Sequence, residues 1–178
     1  MTTTTTTPEQ VRALARRVFD EMWNARDITV IDQVFSPDVV FHSPIQVDPI
    51  HGRAGVAEFV QRIYTGFPDF HTTIQQQLVE GDTTAVRFRV TGTHLGPYLG
   101  MPPTGRRIDT TQIVMNRIAG NQIVEVHQEI NALRKLDQMG VLPPMGAGPF
   151  GLLGWAFKTI GRFAVLQARH QRRQRTAD

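Results

Sequence analysis

No cysteine occurs among the 178 residues, which excludes disulfides, thiolate metal sites and a cysteine nucleophile. Other signatures are missing too. There is no His-Glu-x-x-His, no P-loop and no Rossmann glycine fingerprint. No Gly-x-Ser-x-Gly nucleophile elbow occurs, and the six histidines show no metal-ligand spacing along the chain. Residues 2–7 lack the basic start and apolar core of a signal peptide, so a cytoplasmic location is expected.

Positive charge exceeds negative, with 19 Lys and Arg against 16 Asp and Glu. The excess is local. Lys158, Arg162, Arg169, Arg172, Arg173 and Arg175 follow Gly146, where the sole acid is Asp178. The body before them is slightly acidic, which argues against nucleic acid as the partner. A basic tail reads as a solvated end, with an anionic membrane surface or an acidic partner as the alternatives.

What is present is periodicity. Pro8 opens a helix, and Val11, Leu14, Ala15, Val18, Phe19 and Met22 recur on one face that Trp23 extends. A short helix is expected over 29–35, a short strand over 39–42 and a third helix over 53–66. Long strands are expected over 70–79, 83–93, 107–118 and 123–131, with turns at Glu80-Gly81-Asp82 and Ala119-Gly120-Asn121. Residues 132–139 form a helical turn ending at Gly140. Helices followed by antiparallel strands predict an α+β domain, a strongly curved sheet with helices on one face enclosing an apolar pocket. The expected organisation is a disordered stretch over 1–7, a domain over 8–143, and a linker, apolar helix and basic tail over 144–178. Lys158 and Arg162 interrupt that last helix, making it a poor membrane span. It reads as docked on the domain or on a second subunit, or as lying on an anionic membrane surface.

Residues 85–107 read AVRFRVTGTHLGPYLGMPPTGRR. The strand end Thr91-Gly92-Thr93-His94, the Gly96-Pro97 turn, the Leu99-Gly100 pair and the Pro102-Pro103-Thr104-Gly105 loop occur in the order found in SnoaL-like polyketide cyclases. Phe67-Pro68-Asp69, Glu80-Gly81-Asp82 and residues 120–125 follow the same order. The chain therefore resembles that family, a branch of the NTF2-like superfamily, over about residues 9–143. The resemblance implies a cone of curved sheet closed by helices, no metal or cofactor, a homodimer, and intramolecular closure of polyketide intermediates. It also implies an acid/base aspartate on the last strand and a histidine on the strand before. Those positions fall on Gln128 and Val114.

Gln128 shares the apolar phase of its strand with Val124, Val126 and Ile130, and Gln112 is in phase with Val114 next door. An amide in a pocket can orient a carbonyl or stabilise developing negative charge; a structural hydrogen bonder is the alternative. His42 reads as a base or donor at the pocket mouth, or as a rim histidine on a backbone carbonyl. His127 and Glu129 point outward on a regular strand and inward, as an acid/base pair, if a bulge reverses the phase. His94 shapes its turn or caps the cavity. Trp23, Phe59, Ile63, Phe67, Phe88 and Met115 are candidate lining residues or plain core, and Asn131 is a further binding candidate. Arg87 and Arg89 read as an outer face paired with Glu125 or Glu129.

The expected function is a cofactor-independent cyclase or isomerase of secondary metabolism, acting on an apolar, carbonyl-bearing substrate, with Gln128, His42 and His127 as its catalytic candidates. A non-catalytic binding or carrier module is the rival. An epoxide hydrolase comes third, requiring Asp109 and an arginine inside the cavity.

Overall fold

The computed structural model describes residues 7–143, together with Gly148, Gly154, Gly161 and Val165. Of the stretch 1–7 expected to be disordered, residues 1–6 lie outside the described residues, as does most of the linker, apolar helix and basic tail expected over 144–178. Thr7 itself is ordered. It caps the first helix in a reciprocal capping box with Gln10.

Helix α1 spans Pro8–Arg17 and α2 Ile31–Val34; α3 spans Gly52–Gly66 and α4 Ala132–Met139. The strands are β1 (Phe35–His42), β2 (Ile50–His51), β3 (His71–Glu80), β4 (Thr83–Thr93), β5 (Arg107–Ala119) and β6 (Gln122–Ile130). They form one six-stranded sheet in the order β2-β1-β6-β5-β4-β3. Every pairing is antiparallel except β1 with β6. The α+β expectation is met: a curved sheet, helices on its concave side, the core between.

Three local readings change. The first helix is not α throughout. From Val18–Asn24 it widens into a π-helix, closed by Ala25 N–H donating five residues back to the Asp20 carbonyl at 2.9 Å. The wider turn keeps Phe19, Met22 and Trp23 all buried. Next, β1 starts at Phe35 and runs through Ser36-Pro37, so the helical segment before it stops early, at Val34. Finally, β6 carries a bulge. Arg117 pairs with Glu125 and Ile118 with Ile123, leaving Val124 unmatched. Ile123 therefore takes the fully buried place and Val124 is half-exposed.

Side-chain clamps hold the helices over the sheet. Asn24 binds the Thr72 backbone both ways, donating to its carbonyl at 3.0 Å and accepting from its N–H at 2.9 Å. Gln138 does the same at Asp109, fastening α4 to β5. The Tyr64 hydroxyl donates to the Met22 carbonyl. Between the layers, Phe19 meets Phe88 edge-on at 4.8 Å and Phe41 meets Phe59 at 5.1 Å. Burying each such ring stabilises the fold by about 1.5–3 kcal/mol.

The segment between β4 and β5 folds back onto α3. Leu95 and Gly96 N–H both donate to the Gly66 carbonyl. Tyr98 and Met101 exchange two backbone hydrogen bonds around Leu99 and Gly100, which have φ of 49° and 72°. This tight turn drives Tyr98 inward, where it is buried. A Cβ on Gly96 would overlap the Thr65 carbonyl oxygen, whereas one on Gly100 meets open space. Gly100→Ala should cost about 1–2 kcal/mol for its left-handed backbone alone. Gly96→Ala should cost on the order of 3 kcal/mol or more, because backbone must move. Urea unfolding of the two variants checks this; equal losses would contradict the packing described.

Candidate ligand pocket

The concave face of β5 is unusually polar. Ile108, Thr110, Gln112, Val114, Asn116 and Ile118 are its buried alternate residues. Gln112 stands opposite Ile130 and Gln128 opposite Val114, so the two amides meet on a diagonal of the ladder. Gln128 Nε2 donates to Gln112 Oε1 at 3.0 Å, and Ser43 Oγ donates to Gln128 Oε1 at 3.2 Å. The chain Ser43–Gln128–Gln112 leaves the Gln112 amide nitrogen without a hydrogen bond among the described residues. A one-way chain of this kind polarises its terminal donor.

Apolar side chains surround the amides. Trp23, Phe59, Ile63, Phe88, Val114 and Val126 line the interior, joined by Phe41, Phe70 and Ile130. The interior is nearly filled. Two adjoining spaces of about 30 Å³ remain, sharing Trp23, Phe59, Phe88 and Gln128. A larger cavity of about 260 Å³ opens outside them, between Ile45, Arg62 and the Tyr98 turn. Ile45, Phe59, Ile63 and Tyr98 line both it and the inner space, so these four side chains stand between the outer cavity and the amides.

Several expected site residues lie elsewhere. Met115 is 48% exposed on the convex face, because it alternates with inward Val114. Phe67 is core, packed on His94 at 5.3 Å and on Tyr98 at 5.1 Å. His94 is wholly buried in the turn segment, near Thr104, whose N–H donates to Nδ1 at 3.3 Å. It shapes the turn and does not cap the cavity; burial pushes its pKa down to about 4. Asn131 is exposed and caps α4 by accepting from Arg134 N–H. Arg89 pairs with Asp109 instead of Glu125 or Glu129. Both groups are exposed on the convex face, so the water-activating set of an epoxide hydrolase is not inside.

His127 is also outside, its side chain 55% exposed, and Glu129 is exposed with it. The bulge falls at Val124, before them, and leaves their outward phase intact. The parallel pairing His42↔His127 stacks the two rings 4.4 Å apart. Glu125 Oε1 lies 3.1 Å from His127 Nε2 and 3.8 Å from His42 Nε2. The three donors have the chemistry to hold a divalent ion. Arg117 already takes the other Glu125 oxygen at 2.9 Å and holds that carboxyl below its usual range. His42 therefore neither bonds a backbone carbonyl nor faces the inner space.

Two interior residues escaped the sequence reading: Tyr98 and Lys135. Lys135 is 5% exposed, its Nζ 2.9 Å from the Tyr98 hydroxyl and above the rings of Tyr98 and Phe67. Amphipathic spacing on α4 was the available signal, since Lys135 and Met139 share its buried face.

A curved sheet and helices around an apolar interior with a few convergent polar groups define the NTF2-like class. The chain matches the SnoaL-like polyketide cyclase family over residues 13–139, and it belongs to that family. Among solved structures it is similar to TsrD from Streptomyces laurentii, at 25% identity and TM-score 0.69, over 76% of this chain and 98% of that one. It is similar to AclR from Streptomyces galilaeus, provisionally assigned as a hydroxylase, at 28% identity and TM-score 0.68, over 77% and 100%. It is similar also to IdmH from Streptomyces antibioticus, provisionally assigned as a polyketide cyclase, at 28% identity and TM-score 0.65, over 74% and 99%. No match is found among curated proteins.

Burial lowers the Lys135 pKa from 10.5 to about 8. Between those values the unfolded chain keeps a proton that the folded chain has lost, so stability rises with pH across the window. The buried charge costs on the order of 3 kcal/mol below it. Urea midpoints should climb between about pH 8 and pH 10 in the wild type and stay flat in Lys135→Met. A rise that survives in Lys135→Met would show that another group causes it.

Proposed function

We propose that this chain is a cofactor-independent cyclase or isomerase for an apolar, carbonyl-bearing, polyketide-like molecule. The observation that carries the reading is the Ser43–Gln128–Gln112 chain set in an otherwise apolar interior. Gln128 and Val114, where the family resemblance places an aspartate and a histidine, are direct cross-strand partners. An amide and a valine thus stand where the resemblance places an acid/base pair, and the amide bonds Gln112 beside them. Amides move no protons at neutral pH, so the chemistry that suits them needs no strong base.

A carbonyl oxygen reaching the Gln112 amide would be polarised by its N–H groups. The surrounding rings would hold the chain folded on itself and exclude water. Confining a reactive conformer removes up to about 7–11 kcal/mol of barrier in the best cases, and one preorganised donor adds about 3–4 kcal/mol. A pericyclic or conjugate-addition closure fits both terms. The inner spaces are small, so Trp23 or the Tyr98 turn must yield for a substrate to enter. His42 and His127 then act, if at all, from the rim. A binding module is the second reading, favoured by the nearly filled interior and the lack of a carboxylate lining it among the described residues.

Incubating the chain with a linear polyenone and following ring closure by mass spectrometry and chromatography tests the reading. Gln128→Ala and Gln112→Leu should each slow closure about 10²-fold, and Arg89→Ala should not. Binding without conversion by the wild type would favour the module. Conversion unaffected by either amide variant would place the chemistry elsewhere.

A further inference from the structure

Among the described residues, Lys135 is a buried cation without a counterion. Desolvation alone shifts it, and its single hydrogen bond among the described residues is to the Tyr98 hydroxyl. Its remaining charge is shared only with two aromatic faces. The other charged or titratable groups nearby do not supply the missing negative charge. His94, on the turn segment, is held neutral at pH 7. Arg62, on α3, is itself a cation and acts on Tyr98. Among the described residues, no Asp or Glu lines the inner spaces or the larger cavity outside them. The residues that carry charge there are Arg62 at the mouth and Lys135 within. This positive interior sits in a domain whose body is slightly acidic, so it does not follow from overall composition.

The Tyr98 hydroxyl accepts from Lys135 and has no other partner among the described residues. Its own proton is free to be donated, and a charged donor behind it strengthens that donation. Tyr98 lines both the outer and the inner cavity. The donor therefore stands between the two cavities, and Lys135 lines the same inner space as Gln112 and Gln128.

We propose that Lys135 and Tyr98 form an oxyanion site in the inner pocket, so that the ligand is an apolar molecule bearing a carboxylate or enolate oxygen. The proposal rests on the pocket reading above and narrows it. The ligand enters past Arg62, its anionic oxygen takes the Tyr98 hydroxyl and the Lys135 ammonium, and its carbonyl reaches the amides. The ligand then supplies the counterion that the fold leaves out.

The test compares two probes of matched shape, naphthylacetate and the methyl ketone naphthylacetone, by titration calorimetry on the full chain. Wild type should bind the carboxylate about tenfold or more tightly than the ketone at neutral pH, as charge-assisted pairing requires. That preference should fade as pH rises through about 8. It should disappear in Lys135→Met and shrink in Tyr98→Phe, while ketone affinity holds. Circular dichroism confirms that the variants fold; if Lys135→Met does not, the wild-type pH profile decides. Equal affinity for the two probes, or a preference untouched by pH and by Lys135→Met, would overturn the oxyanion site and leave the pocket reading standing. Failure of the wild type to bind either probe would overturn both.

Discussion

An amide on the concave face of a sheet must find its hydrogen bonds among what neighbouring strands put within reach. Gln128 meets this demand by donating to Gln112 and accepting from Ser43, and the architecture follows from the register that lets the two amides meet. The β5–β6 hairpin turns at Gly120 and Asn121, whose φ values of 57° and 61° suit a tight two-residue turn. The bulge at Val124 then resets the phase. A further slip of one residue in β6 would carry Gln128 to the convex face and away from Gln112. Ser43, just past the end of β1, fixes the far end of the chain. Three segments distant in sequence are thereby tied to one polar line inside an apolar shell.

The rim depends on a second constraint, the close approach of the β4–β5 segment to the end of α3. Gly96 permits it and the turn at Leu99 and Gly100 completes it. Tyr98 is thrown inward as a result, onto Phe67 and under Lys135. A lysine buried without an acid opposes stability at neutral pH. Local conflicts of this kind concentrate where a protein handles a ligand.

Much of the fold was legible from the chain. Strict alternation at Val86, Phe88 and Val90 placed β4, and the glycine turns bounded its neighbours. Phase along β5 and β6 also brought Gln112 near Gln128. What escaped was whatever depends on contacts distant in sequence or on a change of period. The π-helical widening at Val18–Asn24 keeps the apolar residues buried, so hydrophobic spacing alone does not show it. Stacking of His42 on His127 requires the parallel β1–β6 pairing, which no local pattern encodes. Met115 was misplaced because an apolar type outweighed a phase that already put it opposite Val114. Lys135 was passed over because a lysine on a short helix ordinarily faces water.

We read the cone as enclosing a site for an apolar carbonyl compound held by the amide pair. Native mass spectrometry of the chain purified from its own cells tests this most directly, because it shows the natural ligand without prior assumption. A bound apolar compound carrying a carbonyl should be present with the wild type and lost when Gln112 and Gln128 are both replaced by leucine in a folded variant. A chain that always emerges at its own mass, or a ligand retained equally by the double variant, would contradict that reading.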